Sequence, residues 1–187
     1  MHETIHRLMM KNESGGNPAG EIHEILESSG DLFDETRAMA REITRREFGN
    51  EIFVCGLLAF SNICINDCTY CGLRISNSAL PRMRLPADDI GRAIERFRET
   101  GLDRVFLVSG EDRTYSVEDI AVVTAFAKSL GFHVTLGLGE YPEEDLRSFR
   151  EAGCDCYTLK FETSSRKMFR RCKPTSDYDG RLACIRS

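Results

Sequence analysis

The sequence predicts an α/β chain: two helices, then about the first four βα units of a parallel sheet curved into part of a barrel. Three observations carry this. From Glu51 onward, short apolar stretches of strand length alternate with longer stripes of helical period. Each apolar stretch runs straight into a polar loop, as in barrels whose chemistry sits at the C-terminal ends of the strands. Before Glu51 the apolar residues keep only a helical period.

Residues 12–20 (Asn-Glu-Ser-Gly-Gly-Asn-Pro-Ala-Gly) form a turn-rich break. After it, Ile22, Ile25 and Leu26 make one helical stripe and Ala38, Met39 and Ile43 another, so residues 1–50 are expected to be a two-helix extension ending at Gly49-Asn50. Residues 51–187 are expected to hold the barrel portion. Ile52–Phe60 is a near-continuous apolar run, the pattern of a strand buried on both faces. Ile90, Ala93, Ile94 and Phe97 fall at i, i+3, i+4 and i+7 of a helix. Val105–Val108 is the second strand. Ser116-Val-Glu-Asp119 is a capping box, opening a helix that runs to Leu130 and stops at Gly131. His133–Leu136 is the third strand. Pro142 then starts a helix, with proline in the first turn and Glu143, Glu144 and Asp145 facing the positive end of the dipole. Cys156–Phe161 is the fourth strand, and Ser164–Arg171 and Asp179–Arg186 read as helical. Right-handed crossovers wind such units into a barrel segment. A full eightfold barrel takes about 250 residues and this chain has 187. Open strand edges are therefore expected, with self-association through them.

Composition narrows the function. The formal net charge of −5 argues against a nucleic-acid partner held on a basic surface. The longest apolar run, Val54 to Phe60, is too short to span a bilayer, and Met1-His-Glu-Thr-Ile-His-Arg7 lacks an apolar signal core. The expectation is a cytoplasmic protein with no membrane partner. In a reducing compartment its eight cysteines should be metal ligands or buried thiols.

Three of those cysteines stand in one short array, Cys64-Ile-Asn-Asp-Cys68-Thr-Tyr70-Cys71. Three thiolates on one loop suit a cubane 4Fe-4S cluster in which three irons take cysteine and the fourth stays open for a substrate or cofactor. A disulfide framework needs an oxidising setting, and structural zinc usually needs a second Cys-x2-Cys or Cys/His element. Only Cys68 and Cys71 form such a pair, and the nearest downstream histidine is His133. Cys55, Cys154, Cys156, Cys172 and Cys184 are expected to be core thiols. An oxygen-sensitive cluster implies an anaerobic or protected setting.

Other polar residues gather at strand ends. Ser109-Gly110-Glu111-Asp112 ends the second strand, where a glycine lets the backbone approach a ligand closely. Gly137-Leu-Gly-Glu140 ends the third; Glu140 reads either as a substrate contact or as solvated surface. Lys160 and Glu162 share one side-chain phase at the end of the fourth strand and are expected to point into the barrel. Buried there, they must pair with each other or meet a ligand. Arg181 lies in a helical stretch.

The cysteine array resembles the cluster loop of the radical S-adenosylmethionine (SAM) superfamily. The likeness extends to one branch, the HydE type of maturase for the FeFe hydrogenase. It is carried by Phe60-Ser-Asn-Ile-Cys-Ile-Asn-Asp-Cys-Thr-Tyr-Cys-Gly-Leu-Arg74, by Ser109-Gly-Glu-Asp112, by Thr135-Leu-Gly-Leu-Gly-Glu140, by Glu151-Ala-Gly-Cys-Asp-Cys-Tyr-Thr-Leu-Lys-Phe-Glu-Thr163 and by Gly180-Arg-Leu-Ala-Cys184. It covers residues 22–187. The resemblance implies a radical SAM enzyme whose cluster, on Cys64, Cys68 and Cys71, cleaves SAM to a 5′-deoxyadenosyl radical in assembly of the hydrogenase active site. It implies a small-molecule substrate and hydrogenase maturation partners. Cofactor contacts are implied at Tyr70 beside the adenine, at Ser109, Gly110 and Glu111 through backbone carbonyls to the SAM ammonium, and at Lys160, Glu162 and Arg181 for the charged ends of the methionine moiety. Lys160 stands where the HydE type usually has arginine, and Phe161 where it usually has histidine. Biotin synthase and methylornithine synthase share the same core, and a cluster-binding chain without catalysis is the reading from outside enzymology.

Overall fold

A unit of helices, Met1–Phe53, comes first in the chain: α1 (Glu3–Glu13), α2 (Ala19–Leu26) and α3 (Asp31–Phe48). The computed structural model describes residues 1–187. The two expected helices are α2 and α3; α1 precedes the turn-rich break and is an addition. Its only buried apolar side chain is Ile5. What joins it to α2 is polar: Arg7 pairs with Glu24 at 2.9 Å, Lys11 with Glu21 at 2.8 Å, and the Thr4 hydroxyl donates to Glu24 at 2.6 Å. A helix docked by ion pairs leaves little apolar period to read.

The second unit, Val54–Ser187, is a parallel four-stranded sheet with helices as its crossovers. The strands are β1 (Gly56–Ser61), β2 (Arg104–Ser109), β3 (His133–Gly137) and β4 (Cys156–Tyr157), paired in that order. Helices α4 (Ala87–Glu99), α5 (Val117–Ser129) and α6 (Glu143–Glu151) join them, and α7 (Arg166–Cys172) and α8 (Tyr178–Arg186) follow. No helix is long and apolar enough to cross a membrane. The capping box opens α5 as expected, Ser116 Oγ accepting from the Asp119 N–H and Asp119 accepting from the Ser116 N–H. Pro142 caps α6 rather than entering its first turn.

Register explains the burial pattern. Leu58, Leu107, Leu136 and Tyr157 align across the sheet and face the helices; Leu107 and Leu136 are buried. The alternate row, Leu57–Phe106–Thr135–Cys156, lies on the other face, where Leu57 is 58% exposed. Burial of the first strand on both faces therefore does not hold. Ile52, Phe53 and Val54 also fall outside β1 and are exposed. A bulge interrupts the β1–β2 register: Ala59 pairs with Val108, yet Ser61, two residues on, pairs with Ser109, the next residue of β2. At the far edge β4 is two residues long and not the expected six: only Cys156 and Tyr157 stand in register with β3, and the last bond to it is from the Thr158 N–H to the Leu136 carbonyl.

The core lies between the sheet and α4–α6 and includes Phe60, Ile90, Ile94, Val105, Leu107, Val134, Leu136 and Phe149. Ile94 is fully buried (0%), whereas Val122 on α5 is 67% exposed. Ile94→Ala is expected to cost about 2–5 kcal/mol in urea unfolding, and Val122→Ala less than about 0.5 kcal/mol. Equal costs would mean that α4 does not pack as described.

Candidate functional site

The cysteine loop leaves the C-terminal end of β1 and is held to the ends of β2 and α7 from three sides. On the β2 side two adjacent acids act in opposite directions. Asp112 is buried. It accepts Arg84 Nε and Nη2, each at 2.8 Å, the Ser61 hydroxyl at 2.6 Å and the Thr114 N–H at 3.1 Å. Burial alone would raise its pKa, but Arg84, Ser61 and the Thr114 N–H outweigh this and hold it down to about 2. Glu111, also buried, accepts the Asn66 side-chain amide at 2.7 Å and Arg113 at 3.0 Å, while its carbonyl takes the Ile65 N–H at 3.1 Å. Gly110 allows this approach: a Cβ there would stand 2.0 Å from the Ile63 carbonyl oxygen. Gly139, with φ of +94°, is needed likewise, because a Cβ would strike the Glu111 carboxylate at 2.5 Å.

On the second side, Arg82 donates to the carbonyls of Asn62 and Leu73 at 2.8 Å and of Arg74 at 2.6 Å, drawing the two ends of the loop together. On the third side, the segment after α7 bonds to the loop's middle. The Thr69 N–H donates to the Cys172 carbonyl at 2.9 Å, the Asp67 N–H to Thr175 Oγ1 at 2.9 Å, and Thr175 Oγ1 to Asn66 Oδ1 at 3.0 Å.

Within this frame Cys68 is buried, and Cys64 and Cys71 are half-buried. Burial pushes the Cys68 thiol up, opposed by Lys173 and Tyr70, while Cys64 and Cys71 are near enough to act on it too. The N–H groups of Asn66 and Leu73 donate to Cys64 Sγ and Cys71 Sγ, each at 3.4 Å. Such donors to sulfur are among the groups that set an iron–sulfur cluster's potential. No group of three or more His, Cys, Asp or Glu side chains is arranged to hold one metal ion. A cubane takes one cysteine per iron and does not need that convergence. The donor set, thiols with N–H donors to two sulfurs on a clamped loop, fits a cluster.

Beside the loop lies a groove of ≈ 350 Å³ lined by Tyr70, Glu162, Thr163, Met168 and Cys172. Tyr70 is 54% exposed, with its phenol end against Glu162 and Cys68; desolvation of that end, then Glu162, raises its pKa. Glu162 is the one non-glycine residue with positive φ, +66°, a conformation costly enough to mark functional positions.

The expected site residues are not all where alternation put them. Because β4 ends at Tyr157, the period-two phase does not extend to Lys160 and Glu162. Both are exposed, and they form no ion pair with each other. Phe161 is exposed as well. Arg181 is buried beside Glu140, Nε to Oε1 at 2.7 Å. Its N–H does not point along that line, so the contact is Coulombic and Arg181 Nε lacks a hydrogen-bond acceptor. Glu140, read as a substrate contact or solvated surface, is instead occupied: it also accepts the Ser176 hydroxyl at 2.6 Å. The Gly110 carbonyl already accepts Ser109 Oγ at 2.5 Å and the Asp112 N–H at 2.7 Å, and the Glu111 carbonyl accepts the Ile65 N–H. Of the five thiols expected in the core, Cys55 and Cys156 are exposed, and Cys154, Cys172 and Cys184 are half-buried. Arg82, Arg84, Asn66, Lys173 and Thr175 were not foreseen. Only the adjacency of Glu111 and Asp112 hinted that one acid would turn to the loop and one away.

Residues 58–187 match the Radical SAM superfamily. The chain belongs to this superfamily. Its members bind a 4Fe-4S cluster and SAM. The chain is 37% identical over 150 residues to the [FeFe] hydrogenase maturase subunit HydE of Thermotoga maritima, covering 79% of this chain and 42% of that one. It is 28% identical over 161 residues to 3-methylornithine synthase of Methanosarcina barkeri, covering 84% and 45%. Among solved structures it is similar to HydG, a maturase of the [FeFe]-hydrogenase, at a TM-score of 0.86 and 25% identity, over 98% of this chain and 42% of that one. The chain therefore spans less than half the length of these relatives, and the sheet is the corresponding part of a barrel.

The Asp112 clamp has a pH signature. Its folded pKa lies below the ordinary aspartate value of 3.8, so its stabilisation is present above about pH 4 and is lost as pH falls through about 2. The difference corresponds to about 2 kcal/mol. Asp112→Asn is expected to lower stability by at least that much at pH 7 in urea unfolding, with the gap to wild type closing towards pH 2. A gap that stays constant from pH 7 to 2 would show that the charge on Asp112 does not hold the loop.

Proposed function

We propose that Cys64, Cys68 and Cys71 ligate a 4Fe-4S cluster and that the adjoining groove holds SAM, so that the chain carries the cofactor-cleaving part of a radical SAM enzyme acting in [FeFe]-hydrogenase active-site assembly. The observation that carries the reading is a three-cysteine loop clamped by two buried carboxylates directly beside a groove containing Tyr70 and Glu162. When bound and reduced, the cluster supplies the electron that splits SAM into methionine and a 5′-deoxyadenosyl radical. The chain's residues supply position. Tyr70 offers a ring face at the groove wall, and Glu162 an acceptor for the SAM ammonium. Arg181, set in place against Glu140, supplies a positive charge for a carboxylate. Exposed Lys160 and the Ser109-Gly110-Glu111 turn serve the same cofactor from the rim.

The likeness to HydE supports hydrogenase maturation over the biotin and methylornithine branches. The substrate is a small molecule, the setting an anaerobic cytoplasm, and the partners other hydrogenase maturation proteins. The open edges of β1 and β4 are surfaces for self-association.

Reconstituted without oxygen, the chain is expected to bind one 4Fe-4S cluster. Cys64→Ala, Cys68→Ala and Cys71→Ala should each remove most of the iron, while Cys154→Ala keeps it. Iron analysis and electron paramagnetic resonance read this out, and loss with Cys154→Ala alone would overturn the ligand set. SAM should perturb the resonance of the reduced cluster. Arg181→Ala should weaken that effect about ten- to a hundredfold, since a charged hydrogen bond contributes about 1.5–3 kcal/mol. Unchanged SAM affinity in both Arg181→Ala and Glu162→Gln would remove these residues from the cofactor site. Formation of 5′-deoxyadenosine, and restored hydrogenase activity in an extract lacking only its HydE-type maturase, test the reaction and its purpose.

A further inference from the structure

Arg181 on α8 is buried (3% exposed), and Glu140, after the end of β3, is its one ion-pair partner, Nε to Oε1 at 2.7 Å. A buried guanidinium needs a counter-charge. What distinguishes this pair is how firmly its acid is held. The Ser176 hydroxyl donates to the same Oε1 at 2.6 Å, so the carboxylate is fixed at the atom that meets the arginine. The Glu140 carbonyl accepts Arg113, whose guanidinium also lies over the Tyr141 ring, 4.4 Å from its centroid. Glu140 is thus restrained at both its main chain and its side chain.

Both restraints lead back to one residue of the cysteine loop. Arg113 pairs with Glu111 at 3.0 Å, and Glu111 accepts the Asn66 side-chain amide at 2.7 Å. Ser176 follows Thr175, whose hydroxyl donates to the Asn66 side-chain oxygen at 3.0 Å and accepts the Asp67 N–H at 2.9 Å. The contacts close a ring that runs from Asn66 through Glu111, Arg113, Glu140, Ser176 and Thr175 back to Asn66. Asn66 is itself buried and stands between Cys64 and Cys68 in the chain. A further tie joins α8 to the groove: the Tyr178 hydroxyl donates to the Ser164 carbonyl at 3.0 Å, next to the groove residue Thr163.

An arginine that meets a ligand's carboxylate while the same ligand reaches a metal centre must keep its place relative to that centre. A long side chain loses rotamer freedom in doing so. Neighbours that remove this freedom beforehand strengthen binding. If charge alone mattered, an acid that neutralises Arg181 would weaken its pull on an anion. Position and charge therefore predict opposite effects for neutralising Glu140.

We propose that Glu140 is a positioning residue for Arg181: through the ring anchored on Asn66 it holds the guanidinium in fixed register with the cysteine loop, so that one SAM molecule reaches both. The inference rests on the reading of Arg181 as the contact for the SAM carboxylate.

The test is a SAM titration of the anaerobically reconstituted, dithionite-reduced 187-residue chain, read as the change in its electron paramagnetic resonance. The variants are Glu140→Gln, Ser176→Ala, Arg181→Ala, the double variant Glu140→Gln/Arg181→Ala, and Glu143→Gln as control. Iron content and the SAM-free resonance are measured alongside, because a purely structural role would move them. Glu140→Gln is expected to raise the SAM midpoint at least about fivefold, and Ser176→Ala at least about threefold, with both of those unchanged. In the Arg181→Ala background Glu140→Gln should add less than about twofold, because its effect passes through the arginine. Glu143→Gln, at an exposed pair with Arg147, should leave the midpoint where it is. A smaller or reversed shift in Glu140→Gln, a larger added loss in the double variant, loss of iron in Glu140→Gln, or an equal shift in Glu143→Gln would overturn the proposal. If Glu140→Gln does not fold, Ser176→Ala decides, and a smaller shift there than expected overturns it. A wild-type chain that takes up no cluster, or an Arg181→Ala chain with wild-type SAM affinity, would overturn the cofactor reading and this proposal together. A weakened Arg181→Ala beside an unshifted Glu140→Gln would overturn this proposal alone.

Discussion

The site depends on burying two carboxylates side by side at the end of β2. A buried acid must be paired, and Glu111 and Asp112 meet that demand with groups from different parts of the chain. Asp112 takes Ser61 from β1 and Arg84 from the approach to α4; Glu111 takes Asn66 from within the cysteine loop and Arg113 from its own turn. The desolvation that penalises each acid also strengthens each bond it makes. The result is a loop of irregular backbone held to the sheet more firmly than its own turns could hold it. That rigidity suits thiolates that must present fixed positions to a metal centre.

Much of the fold was legible because parallel strands under helices leave strong signals. The centres of β1, β2 and β3, the Ser116–Asp119 capping box and the stripe on α4 were read from local pattern, and each is a local effect. The misses have physical causes of a different kind. Helix α1 is docked by ion pairs, which have no apolar period. The apolar run begins before β1 does, because Ile52, Phe53 and Val54 are apolar but exposed. At β4 the alternation stops at Tyr157, so its extrapolation to Lys160 and Glu162 described a strand that does not exist there.

For the site, the ligand-type residues announced themselves by spacing, whereas their supports did not. Asp112 and Arg84 are 28 positions apart, and Asn66 and Thr175 are 109 apart. Neither pair has any periodic relation. Arg181 was noticed by residue type, yet its burial against Glu140 and the orphaned Nε belong to packing between α8 and the end of β3. Lys173 follows Arg170 and Arg171 in a basic run, and its burial has no sequence signal of its own.

The bulge at the end of β1 has a consequence for how this region can vary over time. By adding one residue between the partners Ala59 and Ser61, it resets side-chain alternation just before the cysteine loop begins, and it leaves Phe60 in the core and Ser61 against Asp112. Everything from Asn62 to Cys71 is counted from that reset. Exchange of one side chain for another is a local event, whereas gain or loss of a single residue within β1 turns Phe60 and Ser61 to the wrong faces and displaces the loop from its anchors on Glu111 and Asp112. Drift in this stretch is therefore expected to proceed by replacement at constant spacing, with insertions and deletions displaced to the outer loops, where no residue downstream depends on the tally.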